Sequence, residues 1–138
     1  MKKRLIPTAA TVVVFALLCL LGRTWLKNLY LFEWTARHNY LYLWAAVLVL
    51  ALLGESILAW SITAGNLAGV VLGQCLGDVL VAQKVAKLPP DASDSAVYQA
   101  HYHHGVWIWL CVVFAFFVAG VLVSVWQRRK QDKVSSKE

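Results

Sequence analysis

Residues 65 to 78 read Gly65-Asn66-Leu67-Ala68-Gly69-Val70-Val71-Leu72-Gly73-Gln74-Cys75-Leu76-Gly77-Asp78, with a glycine at every fourth position. In water that helix would be handicapped, because an interior glycine costs about 1 kcal/mol against alanine. In a bilayer the spacing means something else. A four-residue step advances about 40° around a helix, so the glycines form a slowly drifting stripe about 18 Å long. Lipid tails provide little hydrophobic drive between helices, and close backbone approach and interhelical hydrogen bonds take its place. The missing Cβ atoms make a groove for a neighbouring helix. Asn66, Gln74 and Asp78 lie along one flank of that groove, where they can bond across it. The stretch predicts a membrane-spanning helix with a packing face.

The remainder of the chain agrees with that solvent. Of 138 residues 60% are hydrophobic and 14% charged, with a mean hydropathy of +0.63, whereas a soluble domain carries about 25% charged residues. About 20 apolar residues cross the bilayer core as a helix, which places spans near 5–22, 36–53, 57–80 and 105–126. The expected fold class is an all-α integral membrane protein, a bundle of four transmembrane helices. Residues 1–130 form its single domain, and 131–138 form a disordered cytoplasmic tail. The first helix is expected to be retained, since its apolar run is long and no small-residue cleavage site follows it.

Connections and flanks carry the polar residues. Gly54-Glu55-Ser56 reads as a tight turn. Segment 23–39 mixes Arg23, Lys27, Glu33 and Arg37 with Trp25, Tyr30, Phe32 and Trp34, which suits the membrane–water interface. With an even number of spans both termini share a side. That side holds eight Lys and Arg residues against five on the other, so the positive-inside rule puts both ends in the cytoplasm. The expected location is the plasma or inner membrane. The net charge of +6 lies largely at these ends, where it serves topology and anionic headgroups rather than nucleic acid. Cys19, Cys75 and Cys111 all fall inside apolar runs, with no ligand spacing and no disulfide framework.

Two readings of the glycine face stay open. In one, Gly65, Gly69, Gly73 and Gly77 pack a helix, within the chain or between copies, with Asn66 and Gln74 as interhelical bonds. In the other, Asn66, Gln74 and Asp78 line a pathway, since polar groups at membrane depth usually face a bundle interior or water. Residues Ala64 to Gly73 resemble the Asn-x-x-Gly-x-x-x-Gly helix of the small four-span fluoride channels. That resemblance implies dimer assembly and a pore-facing Asn66. The chain lacks that family's glycine-rich arginine segment near the start and its Thr-Thr-Phe-Ser-Thr-Phe stretch, so the channel function is not carried over.

A second cluster is Tyr98-Gln99-Ala100-His101-Tyr102-His103-His104-Gly105, holding three of the four histidines. If a helix capped by Ser93 or Asp94 runs unbroken into the last span, Asp94, Tyr98, His101 and either His104 or Gly105 share a face. His101 and His104, with Asp94 or His38 as third group, then form a candidate site for a transition metal. The alternatives are an interfacial belt of His and Tyr, or a proton sensor. No other cofactor is indicated, and no catalytic constellation is visible. The function classes that remain are a small-solute or ion transporter that self-associates through the glycine face, and an accessory or scaffolding subunit. The expected partners are the lipid bilayer and either a second copy or a larger membrane protein.

Overall fold

The computed structural model describes residues 2–38 and 40–135, and no strand occurs among them. Six helices follow in order: α1 (Lys2–Arg23), α2 (Tyr30–His38), α3 (Tyr40–Leu53), α4 (Ser56–Val85), α5 (Asp94–Ala100) and α6 (Gly105–Ser135). Two of them, α4 and the stretch Asp94–Gln131 containing α6, are long and apolar enough to cross a membrane, which points to membrane association. Taken as one bent pair, α2 and α3 would make a third, while the apolar part of α1, Thr8–Arg23, is shorter. Four clear spans were expected, and two meet the criterion of length and composition.

Part of the difference lies in the segment 23–39. Its second half is folded into the bundle as α2, with Leu31, Phe32, Thr35 and Ala36 buried on one face. Their i, i+1, i+4, i+5 spacing forms the apolar stripe of a short amphipathic helix. Thr35 is fully buried and its hydroxyl donates to Leu31 O at 2.7 Å, which lets a polar side chain sit in the core. At the far end α6 is helical through Ser135, into the stretch expected to be a disordered tail. Residues 136–138 lie outside the described residues.

The turn between α3 and α4 is built at Gly54. Its φ of 90° is the left-handed conformation that glycine adopts without a Cβ clash. The Glu55 N–H donates to Leu50 O at 2.9 Å and the Gly54 N–H to Ala51 O at 3.1 Å, the paired bonds of a Schellman helix end. The tight reversal lays α4 against α3. Val47 and Ala51 of α3, Ala59 and Ile62 of α4, and Phe15 and Leu18 of α1 then share one core.

The largest helix–helix contact joins α4 to α6, and the two run antiparallel. Glu55, beside the α3–α4 turn, forms an ion pair with Arg128 near the end of α6. At the other end Lys84 Nζ lies 3.4 Å from His104 Nε2. Thirty residues give α4 a length of about 45 Å, more than the roughly 30 Å hydrocarbon core.

Candidate functional site

The glycine stripe faces α6 and α2 of its own chain. A Cβ on Gly65 would meet Phe116 Cβ at 2.7 Å, one on Gly69 would meet Trp109 Cδ1 at 2.9 Å, and one on Gly77 would overlap the His103 ring. At Gly73 the obstacles are Leu31 Cδ2 at 2.5 Å and the Gly105 carbonyl oxygen at 2.6 Å. Here the added Cβ would run into the backbone of α6 itself. The stripe is therefore filled from within the chain, one of the two packing arrangements the sequence left open.

Along the polar flank, each side chain finds a partner far away in sequence. Asn66 is fully buried, and its Oδ1 accepts from Trp109 Nε1 at 2.9 Å. Gln74 is nearly so: its Oε1 accepts the Leu31 N–H at 2.7 Å, and its Nε2 donates to both carboxylate oxygens of Asp78 at 2.9 and 2.8 Å. That arrangement settles the amide orientation, since the opposite one would set two donors against each other at Leu31. The Leu31 N–H lies in the first turn of α2, where backbone donors have no intrahelical acceptor. Gln74 supplies one.

Asp78 continues the chain of bonds. Its Oδ1 lies 3.2 Å from His103 Nε2, and His103 Nδ1 accepts the Gly105 N–H at 3.1 Å. Because Nδ1 is used as an acceptor, the ring proton sits on Nε2 and points at the carboxylate. Gly105 opens α6, so His103 caps that helix through its side chain. The Tyr30 ring packs on His103 with centroids 4.5 Å apart. Leu31, Gln74, Asp78, His103 and Gly105 thus form one hydrogen-bonded relay joining α2, α4 and α6. It opens to the surface at its midpoint, where the Asp78 side chain is 58% exposed against 9% for His103.

The arrangement corrects the histidine reading. The unbroken helix is interrupted after Ala100, as residues 101–104 turn before α6 begins. Ser93 does cap α5, accepting the Ala96 N–H at 3.4 Å, but Asp94, His101 and His104 do not share a continuous face. His101 Nδ1 is bound to Val97 O at 2.9 Å and His104 Nδ1 to Tyr102 O at 3.0 Å. Among the described residues, no group of three or more His, Cys, Asp or Glu side chains is placed to hold a metal ion. The residues that sequence reasoning passed over are His103, Trp109 and Leu31. Only the HxHH cluster signalled any of them, and it did not single out His103.

One test of this site concerns its driest bond. Trp109→Phe removes the donor to Asn66 Oδ1 and leaves a buried amide with no partner at either end, because Asn66 Nδ2 already has none among the described residues. The expected loss is about 1–3 kcal/mol in detergent unfolding. Replacing both partners by apolar groups removes the penalty at its source. The double variant Asn66→Leu, Trp109→Phe should therefore unfold closer to wild type than Trp109→Phe alone.

Comparison with protein-family models, curated proteins and solved structures finds no match to this chain.

Proposed function

We propose that the chain is a multi-pass protein of the plasma or inner membrane that acts as a non-transporting accessory subunit around a rigid α4–α6 pair. The observation that carries this reading is the state of the polar flank. Asn66 and Gln74, the side chains on which a pathway would depend, are buried and bonded to Trp109, Leu31 and Asp78. Bonds of this kind hold helices together in lipid. In this reading α1, the α2–α3 pair, α4 and α6 make four crossings with both ends in the cytoplasm. The eight-to-five division of basic residues supports that orientation.

Transport along the same flank is the second reading. One observation favours it: the unpartnered Nδ2 of Asn66 is a costly group to keep in a membrane interior. Reconstitution in liposomes separates the two. The accessory reading expects no leak of protons, alkali cations or halides above that of empty vesicles. A flux that disappears in Asn66→Leu would replace it with transport. Orientation is read separately, in a cysteine-free background. Ser95→Cys should react with an impermeant maleimide from outside intact cells, and Ser135→Cys only after permeabilisation. The reverse pattern would invert the topology.

A further inference from the structure

Two cavities meet at the corner where α1 leads into α2. One is an open cleft of about 610 Å³ with Arg23, Lys27, Asn28, Glu33 and Arg37 in its wall. The other is narrower, about 290 Å³, and its wall includes Phe15, Cys19, Leu41 and Trp44. Arg23, Ala36 and Arg37 line both, so the cationic cleft and the more apolar cavity adjoin. Arg37 pairs with Glu33 at 2.6 Å, while Arg23 and Lys27 have no carboxylate partner among the described residues. The corner therefore carries a net excess of positive charge. Trp44 adds a buried indole N–H with no acceptor among the described residues. Nearby Trp25 is 86% exposed, as suits an indole at the headgroup boundary.

We propose that this corner binds a phospholipid with an anionic headgroup. Guanidinium groups recognise phosphate through paired, charge-assisted hydrogen bonds. Arg23 and Lys27 hold the phosphate, and Asn28 reaches the rest of the headgroup. One acyl chain enters the cavity between Phe15, Cys19, Leu41 and Trp44, and an ester carbonyl accepts the Trp44 N–H. A cationic cleft adjoining an apolar cavity sets the ligand class. A free anion would leave the apolar arm unused, and a neutral hydrocarbon would leave two cations unpaired. A choline headgroup would bring a further positive charge to a cationic cleft. The inference rests on the membrane reading above but not on the number of spans.

Native mass spectrometry of the full chain in detergent tests it, with phosphatidylglycerol and phosphatidylcholine of identical acyl chains as probes. One equivalent of phosphatidylglycerol is expected to be retained, with binding weakened at least about tenfold by Arg23→Gln plus Lys27→Gln, as loss of charge-assisted bonds implies. Both side chains are exposed, so the fold should survive, and Lys27→Glu alone gives a second measure. Cys19→Trp, which fills the apolar arm, should also weaken the lipid. Lys130→Gln, at the other end of the molecule, should not. Equal retention of phosphatidylcholine would overturn the proposal, as would indifference to the Arg23 and Lys27 changes. Inorganic phosphate that displaces the lipid at equal concentration would show a site for a free anion, with the same consequence. Extraction of the chain from membranes by detergent but not by alkaline carbonate is scored separately, so a lipid failure is distinguishable from a failure of the membrane reading.

Discussion

Gly73→Leu is expected to leave little folded protein in detergent. The new Cβ would meet Leu31 Cδ2 at 2.5 Å and the Gly105 carbonyl oxygen at 2.6 Å. A side chain can rotate away, but a backbone oxygen at the start of a helix cannot. The substitution therefore has to separate α4 from α6 or displace α2. Overpacking of this kind costs about 1–3 kcal/mol. Separation also stretches the Gln74–Leu31 and Asn66–Trp109 bonds, each worth about 1 kcal/mol and more once its buried partner is left unpaired. A combined loss of roughly 4 kcal/mol is a large share of the 5–15 kcal/mol of a typical domain. Val71→Leu on the same helix is the control, because Val71 is 46% exposed and tolerates added bulk. The readout is the unfolding midpoint and the folded yield of the single chain, since the stripe faces a helix of that chain. Equal stability of Gly73→Leu and Val71→Leu would show that α4 and α6 do not meet at Gly73.

Gln74→Leu comes second in expected size. It preserves apolar bulk but removes the acceptor of the Leu31 N–H and the donor to Asp78. A buried unpaired donor costs about 1–3 kcal/mol. The loss should be felt first where α2 docks. Hydrogen exchange at the Leu31 amide is expected to accelerate by about tenfold or more, the equivalent of 1.4 kcal/mol in local opening. Gln74→Glu restores an acceptor for Leu31 but sets a second carboxylate against Asp78, so it should not rescue stability. Asp78→Asn, which keeps an acceptor for Gln74 and His103, should be the mildest of the three. Unchanged exchange at Leu31 in Gln74→Leu would mean that α2 is held by its apolar face alone.

These two variants also mark where sequence reasoning stops. That Gly65, Gly69, Gly73 and Gly77 form one face follows from helical periodicity, which is local and can be counted along the chain. That the face is met by Phe116, Trp109, Leu31, Gly105 and His103 cannot be counted in this way. The histidines show the same limit. His101 and His104 looked like ligands because an i, i+3 pair shares a face of a continuous helix. The helix breaks there instead, and the interruption places His103 to cap Gly105 and reach Asp78. Leu31 and Phe32, surrounded by charges, read as interfacial; the short helix they belong to turns them into the core.

Sequence alone determined the long apolar runs, the all-helical character, the turn at Gly54 and the existence of a close-packing face on α4. Each depends on sums or spacings of nearby residues: transfer free energy accumulates along a run whatever its neighbours are, and a missing Cβ is missing in any context. The tertiary structure decided what the polar atoms do. The Asn66–Trp109 and Gln74–Leu31 bonds each span 43 residues. A hydrogen bond requires its two groups to meet within a narrow range of distance and angle. Only the apposition of α2, α4 and α6 brings these groups into that range, and there the glycines of residues 65–78 let the helices close.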